Sequence, residues 1–253
     1  AWGVEYHTRG CAGDIMWADC GLGAATERTT SELLRFTINN WIANQLTADT
    51  LMIRYIYGSD LAQFPDLRHA MFHDRARQFK DRQGWDVTVN AHGEERDDYD
   101  DLNPLYVIWQ MSDGLHGGSM RLLPTTGVTM VNDHFSHLLQ GARIESSTIW
   151  ECTRFCLAPD AGGRVAAALM LAGGEVMRGL GIEQYAGVFD ARMVRIYNAI
   201  GASPTILGHE GEGRDRISVG LWGFSDLARF RVAARAGLSL EISSLWFLRA
   251  FGE

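Results

Sequence analysis

The chain has 253 residues, of which 46% are hydrophobic and 21% are charged, and its net charge is −8 at pH 7. A chain of this length and composition can bury a large core without disulfides or metal ions, which excludes bulk disorder. The acidic balance argues against a general affinity for nucleic acid or for an anionic membrane. No run of about 18 apolar residues is present, so the sequence predicts no transmembrane helix and no stable membrane insertion.

The cysteines and histidines do not have the spacing of a metal site. The chain has four cysteines, none of them in a Cys-x-x-Cys pair, and no histidine spacing completes a zinc site. The sequence also has no basic segment followed by an apolar stretch near its start, so no secretory signal is expected. We therefore expect a cytoplasmic protein with free thiols and no bound metal.

The first 51 residues differ from the rest of the chain. Residues 1–28 show no sustained hydrophobic period, and a helix is predicted to begin at Ser31. Met52 opens a clear strand and could be the natural start of the folded domain. We therefore expect residues 1–51 to be an extension that is dispensable or not native, and residues 52–253 to form one domain.

From residue 52 onward, strands and helices alternate. The sequence predicts, in chain order, strand 52–57, helix 59–82, polar loop 88–103, hairpin strands 105–111 and 119–123, helix 131–139, strand 148–157, helix 163–180, strand 184–189, helix 191–200 and strands 205–209 and 217–224. The type of the apolar tail 238–251 is left open. This pattern predicts an α/β (α+β) fold with a mixed sheet.

A first group of residues with chemical potential combines aromatic rings and acids. Arg75 and Phe79 lie four positions apart and share a helix face, and Trp85 follows them. The acidic run 94–101 would, taken alone, be a solvated loop. Together, the rings and carboxylates could form a box for a ligand that carries a cation and an adenine-like ring.

A second group lies on the predicted strands. Arg121 precedes a Pro-Thr-Thr run at 124–126, and Glu151 and Arg154 lie within an otherwise apolar strand. Charges in such a strand are costly unless they are paired or used. Side chains alternate along a regular strand, which would place Glu151 and Arg154 on opposite faces. A β-bulge, frequent beside active sites, would bring the two together.

In this order, the motifs resemble those of the acyl-homoserine-lactone synthases, the autoinducer synthases of bacterial quorum sensing. The resemblance extends from about residue 52 to residue 223. The matching positions are Arg75, Phe79, Trp85, Glu95, Asp97, Asp100, the run 121–126, Phe135, Trp150, Glu151, Arg154 and Phe155. The first 51 residues lie outside the pattern.

The resemblance implies a fold and a reaction. The fold is the N-acetyltransferase (GNAT) superfold, whose mixed sheet opens into a V-shaped cleft flanked by helices. The reaction transfers an acyl chain from acyl-carrier protein or acyl-CoA to S-adenosylmethionine (SAM), followed by lactone closure and release of methylthioadenosine. SAM would be a substrate, so no cofactor is expected.

The residues fit that reaction in the following roles. Glu151, a carboxylate in a semi-apolar strand, would be the catalytic base, and Arg154 the second catalytic residue. The predicted substrate-binding residues are Arg75, Phe79, Trp85, Asp97, Asp100, Arg121 and Phe135. Phe79 and Trp85 would face the sulfonium. Arg75 or Arg154 would bind the SAM carboxylate. Asp97 and Asp100 would hold the amine or fix these arginines. Backbone N–H groups around 152–155 would meet the oxyanion.

The donor and two alternatives remain open. The stretch 158–164 lacks a Gly-x-Gly phosphate loop, which disfavours a plain acetyl-CoA acetyltransferase and suits a carrier-protein donor better than CoA. The candidate patch for docking that acidic carrier consists of Arg164, Arg178, Arg192 and Arg195. The alternatives are an N-acyltransferase of the same fold acting on another amine, and a non-catalytic small-molecule binding module.

Overall fold

The computed structural model describes residues 52–223 and 225–252; the segment 1–51, with the helix predicted from Ser31, lies outside the described residues. The strands are β1 (Met52–Tyr57), β2 (Leu105–Gln110), β3 (His116–Pro124), β4 (Ile149–Leu157), β5 (Gln184–Asp190), β6 (Thr205–Glu210) and β7 (Ile217–Gly223). They form one sheet in the order β1-β2-β3-β4-β5-β7-β6. Only the β4–β5 pair is parallel among these strands, which confirms the predicted mixed sheet.

The helices are α1 (Pro65–Ala76), α2 (Met130–His134), α3 (Gly163–Leu180), α4 (Ala191–Ile200), α5 (Asp226–Ala236) and α6 (Leu240–Phe251). Short 3-10 segments cover Gly58–Gln63, Asp98–Asp101 and Ser136–Leu139, and a π-helical turn covers Arg77–Arg82. The single helix predicted for 59–82 is wrong at its start, because Pro65 suits the first turn of a new helix and cannot continue an earlier one. None of the helices in the described ranges is long and apolar enough to cross a bilayer.

Helix α3 packs on one face of the sheet. Its inner surface is rich in small buried residues, including Ala167, Ala168 and Ala172, so its backbone comes close to the strands. Gly173 marks the closest approach, since a Cβ atom there would lie 2.9 Å from the Cε atom of Met120 on β3. Together with α6, this layer forms the larger apolar core.

Helix α1 covers the opposite face of β1 and β2. Leu67, Met71 and Phe72 of the helix pack against Tyr106 and Ile108 of β2. This contact fixes the orientation of α1, so the residue at position 75, near the end of the helix, faces the sheet and is almost fully buried.

The sheet opens between its two parallel strands. β4 and β5 pair only where 149–151 lie opposite 184–186, and from there β5 continues along β7 while β4 continues along β3. Beyond Glu151 the β5-facing edge of β4 therefore has no strand partner in the described part of the chain. Because α3 and α4 begin where β4 and β5 end, the opening is flanked by helices, and the predicted V-shaped cleft is confirmed.

Candidate active site

Six charged residues form one buried group on the α1 face of the sheet. They come from α1, β3, β4 and the connection between α1 and β2, so residues far apart in the chain meet here. This arginine–carboxylate cluster consists of Arg75, Arg121, Arg154, Glu95, Asp97 and Asp100. Three guanidinium groups and three carboxylates satisfy one another, which is what buried charges require.

Arg75 is the innermost member of the cluster. Its Nε atom donates to Oε2 of Glu95 at 2.6 Å, and its two terminal nitrogens donate to the two oxygens of Asp100 at 2.9 and 3.0 Å. Burial raises the pKa of Asp100, but Arg75 and Arg121 outweigh it and hold that pKa well below its usual value. Asp100 is therefore a permanently charged anchor, since a two-pronged contact with arginine favours the ionised carboxylate.

Arg121 joins the cluster to the strands. Its guanidinium donates to both oxygens of Asp97, to Oδ1 of Asp100 at 2.8 Å, and through Nε to the hydroxyl of Thr153 at 3.0 Å. The hydroxyl of Tyr106 donates to the same Oδ1 of Asp100 at 2.7 Å. These contacts leave Arg121 with no exposed surface and tie β3 to β4 and to the acidic connection.

Arg154 lies in a bulge of β4. Between the pairs Ser119–Cys156 and Arg121–Thr153, β4 has one residue more than β3. Arg154 has φ of +50°, a left-handed conformation that a residue with a Cβ atom rarely adopts. The predicted bulge is confirmed, and it directs this arginine toward the cluster.

The bulge brings Arg154 to the acidic run and not to Glu151. Its Nη2 atom lies 3.0 Å from Oε1 of Glu95 and 2.7 Å from Oδ2 of Asp97. Within the described part of the chain, no salt bridge joins Arg154 to Glu151. The carboxylate of Glu151 accepts hydrogen bonds from backbone N–H groups instead.

Glu151 is buried beneath α2. Its two carboxylate oxygens accept hydrogen bonds from the backbone N–H groups of Met130, at 3.1 Å, and Val131, at 2.5 Å. Burial raises the pKa of Glu151, and the two backbone hydrogen bonds only partly offset that rise. A carboxylate with a raised pKa is a stronger base than an exposed one, as a proton acceptor at neutral pH requires.

The predicted aromatic pair borders the cluster. The rings of Phe79 and Trp85 stack with centroids 5.1 Å apart and planes 5° from parallel. Phe79 is buried, with the guanidinium carbon of Arg154 lying 5.5 Å from its ring centroid, whereas Trp85 is 48% exposed. The pair thus connects a buried cation to an aromatic ring that is open to solvent.

Phe135 lies apart from the arginine–carboxylate cluster. It is half-buried against a separate apolar cluster that includes Val131 on α2 and Ala186 on β5. The helix predicted for 131–139 is interrupted at this residue, which separates α2 from the 3-10 segment that follows. The structure therefore brings Phe135 close to α2 and not to the rings of Phe79 and Trp85.

No role was predicted from the sequence for Tyr99 and Asp133, which connect the arginine–carboxylate cluster to α2. Tyr99 lies inside the acidic run, is 9% exposed, and donates its hydroxyl to Oδ2 of Asp133 on α2 at 2.9 Å. The guanidinium carbon of Arg121 lies 5.5 Å from the centroid of its ring. An aromatic residue within a run of acids was the available signal, because a solvated loop rarely needs one.

Two other types of chemistry are not supported by the site. Burial raises the pKa of the thiols of Cys152 and Cys156 to about 12, so neither is a nucleophile at neutral pH. In the ranges that the structure describes, no three His, Cys, Asp or Glu side chains are arranged to hold a metal ion.

Comparison with known proteins identifies the family. The family model described as autoinducer synthase matches residues 61–221. An acyl-homoserine-lactone synthase of Rhizobium etli is 43% identical over 159 residues, which are 60% of this chain and 74% of that protein.

Solved structures agree with this match. The structure of the AHL synthase LasI has 25% identity and a TM-score of 0.63, over 73% of this chain and 95% of LasI. The CoA-dependent synthase BjaI, at 22% identity, shares the fold with a TM-score of 0.66, over 78% of this chain and 99% of BjaI. The chain belongs to the autoinducer synthase family, whose curated members are acyl-homoserine-lactone synthases.

Proposed function

We propose that this chain makes an acyl-homoserine lactone from SAM and an acyl thioester. The observation that carries the proposal is the position of the arginine–carboxylate cluster beside the point where β4 and β5 separate. The cluster offers charged groups for an amino-acid head, and the cleft offers an unpaired strand edge for an extended thioester arm. The two substrates of an amide-forming reaction would meet between them.

Amide formation is the first step in this proposal. The SAM amine loses a proton to Glu151 through a water molecule and attacks the thioester carbonyl, forming the C–N bond. The oxyanion is stabilised by backbone N–H groups of 152–155. The second proton of the amine then passes to the departing sulfur as the C–S bond breaks, which leaves the amide and releases the thiol carrier. The raised pKa of Glu151 supports its role as the base.

Lactone closure is the second step. A carboxylate oxygen of the methionine part attacks its own γ-carbon, the bond from that carbon to the sulfonium sulfur breaks, and methylthioadenosine leaves with the electron pair. Arg154 would orient the carboxylate, and its 11% exposed side chain, the most exposed of the three clustered arginines, supports this role. Trp85 offers its exposed ring to the sulfonium or the adenine.

The acyl donor is either an acyl-carrier protein or acyl-CoA. The edge of β4 that is unpaired beyond Glu151 would take a pantetheine arm, which both acyl-carrier protein and acyl-CoA possess. BjaI was solved with SAM and isopentyl-CoA. We favour the carrier protein here because the stretch 158–164 lacks a phosphate-binding glycine pattern.

One incubation tests the function and the donor together. The full chain is mixed with SAM and either a hexanoyl-carrier protein or hexanoyl-CoA, and the products are identified by mass spectrometry. The expected products are hexanoyl-homoserine lactone and methylthioadenosine, formed faster with the carrier protein. An amide of another amine would support the alternative N-acyltransferase, and SAM binding without product would support a binding module.

A further inference from the structure

We propose that Tyr99 and Asp133 are positioning residues that hold and tune Glu151 through helix α2. This inference rests on the proposed function, in which Glu151 accepts the proton of the SAM amine. Neither residue belongs to the motifs that identified the site, and neither contacts the carboxylate of Glu151 through a hydrogen bond in the described structure.

Tyr99 lies between two parts of the site. Its ring lies beneath Arg121, a member of the arginine–carboxylate cluster, and its edge faces the ring of His134 at a centroid distance of 6.3 Å. Its hydroxyl donates to Asp133 at 2.9 Å. Tyr99 therefore connects the rigid, ion-paired cluster to α2 by one directional bond.

Helix α2, with five residues, does not hold its own conformation in water, so its orientation depends on side-chain anchors. Its first N–H groups hold Glu151, while Asn132 anchors it to the backbone of Ile144 at 2.8 Å. Asp133 is exposed, and its bond to Tyr99 is the anchor that ties α2 to the segment that carries two aspartates of the cluster. A change at this anchor is transmitted to the N–H groups that hold the base.

Glu151 has charged neighbours on two elements. Arg121 approaches it from β3 and lowers its pKa, whereas Asp133 on α2 raises it. From the 97–101 segment, Tyr99 is close enough to Glu151 for the two groups to interact electrostatically. The strand neighbours of Glu151, Leu123 and Ala186, are apolar. The negative charge of Asp133 therefore offsets part of the effect of Arg121 and keeps Glu151 a stronger base.

The test uses the full chain and the pH dependence of thiol release with SAM and an acyl donor. In Asp133→Asn, the acid-side inflection of kcat/KM should move to lower pH by roughly half a unit, and kcat at neutral pH should fall several-fold. In Tyr99→Phe, which keeps the ring under Arg121, the inflection should move in the same direction by a smaller amount. The KM for SAM should change less than twofold in both.

Controls separate positioning from a merely structural role. Asp98→Asn removes an exposed acid beside Tyr99 and should leave the profile unchanged. If Asp133→Asn lowers the melting temperature and the rate but leaves the inflection in place, the proposal is overturned. If both variants fail to fold, Asp133→Ser decides, since this exposed position tolerates a small neutral side chain that also removes the charge. An acid-side inflection at the wild-type pH in Asp133→Ser overturns the proposal.

A second measurement is independent of catalysis. Carbon-13 NMR of the glutamate carboxyl groups, with the Glu151 signal assigned from Glu151→Gln, follows its pKa directly. A lower pKa of Glu151 in Asp133→Asn supports the coupling even where the wild type makes no lactone, in which case the proposed function alone has failed. An unchanged pKa overturns the coupling whatever the activity.

Discussion

Arg75 donates hydrogen bonds to both carboxylate oxygens of Asp100, at 2.9 and 3.0 Å, and both side chains are buried. Arg121 shares one of those oxygens at 2.8 Å. A single carboxylate therefore balances parts of two buried guanidinium groups. Removal of the Asp100 carboxylate should therefore lower the free energy of unfolding, whatever its effect on substrate affinity.

Asp100→Asn should lower the free energy of unfolding by about 3–5 kcal/mol, because it leaves buried guanidinium charge without a partner. Urea unfolding followed by fluorescence measures this change. The matched control is Asp101→Asn, which removes a 76% exposed carboxylate paired with exposed Arg96 and should cost less than about 1 kcal/mol. Equal losses in the two variants would show that the buried pair has no special weight.

His116 should make the protein less stable in mild acid. It is buried, with Nδ1 lying 2.8 Å from Oδ2 of Asp74 and Nε2 lying 3.0 Å from the Ser119 hydroxyl. Burial lowers its pKa below the ordinary value of 6.5, despite the hydrogen bond to Asp74. The unfolded chain therefore binds a proton at this histidine more readily than the folded chain, so stability falls as the pH drops below about 6.5.

Urea unfolding of wild type and His116→Gln between pH 7.5 and 5.5 measures that effect. The wild type should lose more stability over this range than the variant, although the variant is less stable at pH 7.5. His137→Gln, at an exposed histidine, should follow the wild type. Parallel pH curves for wild type and His116→Gln would contradict the assignment.

Trp85→Ala should weaken SAM binding more than binding of the acyl donor. The exposed Trp85 ring stacks on buried Phe79. Removal of Trp85 therefore takes away the ring that SAM would contact, while Phe79 stays in place beside Arg154. Calorimetry with each substrate separately measures the two affinities, and the loss for SAM should be about 3- to 30-fold. Equal weakening of both substrates, together with a lower melting temperature, would mean that Trp85 serves only packing.

Much of the site could be predicted because charges in an apolar strand need partners. Asp97 and Asp100 were expected to hold the substrate amine or to fix Arg75 or Arg154, and the two aspartates do pair with these arginines. The individual pairs of carboxylate and guanidinium could not be predicted. They depend on the bulge in β4, which directs Arg154, and on the packing of α1, which orients Arg75. The hydrogen-bond donors to Glu151 could not be predicted either. They are backbone N–H groups at the start of a five-residue helix, and any residue type supplies such a group.

The fold shows the same division. Strands with dense β-branched and aromatic residues were predicted close to their observed bounds. Helix α5 was missed because it exposes Leu227 and Phe230 at 59% and 62%, which blurs the apolar period that marks a buried face. The break at Pro65 was missed because the apolar residues on its two sides keep a helical spacing.

The candidate carrier patch is narrower than the sequence indicated. Arg164 lies in the first turn of α3, and Arg192 and Arg195 lie in the first turns of α4, at the ends of the two helices that follow β4 and β5. Arg178 lies about 21 Å along α3 from Arg164. Arg192→Glu with Arg195→Glu should raise the KM for an acyl-carrier protein several-fold and flatten its salt dependence.

The corresponding KM values for SAM and for acyl-CoA should not change, since neither substrate needs a protein docking surface. Arg178→Glu is the matched control and should behave as wild type. Unchanged carrier-protein kinetics in the double variant would place the docking surface elsewhere or indicate acyl-CoA as the donor.

A variant beginning at Met52 should remain folded and active. The first strand begins at this residue, and the family match covers 61–221. Lactone formation and the melting temperature of the shortened and full chains provide the comparison. Insoluble or inactive shortened protein would make residues 1–51 part of the working enzyme.

The arginine–carboxylate cluster has equal numbers of positive and negative groups, and this balance restricts what can enter it. A zwitterion such as an amino-acid head brings one charge of each sign, so it can exchange partners with Arg154 and Asp97, whose side chains are 11% and 20% exposed. A simple amine or a simple acid would replace only one of these two partners and leave the other ion with fewer contacts. We therefore expect the cluster to discriminate by charge pattern, so that compounds with a single charge compete poorly with a zwitterion for the site.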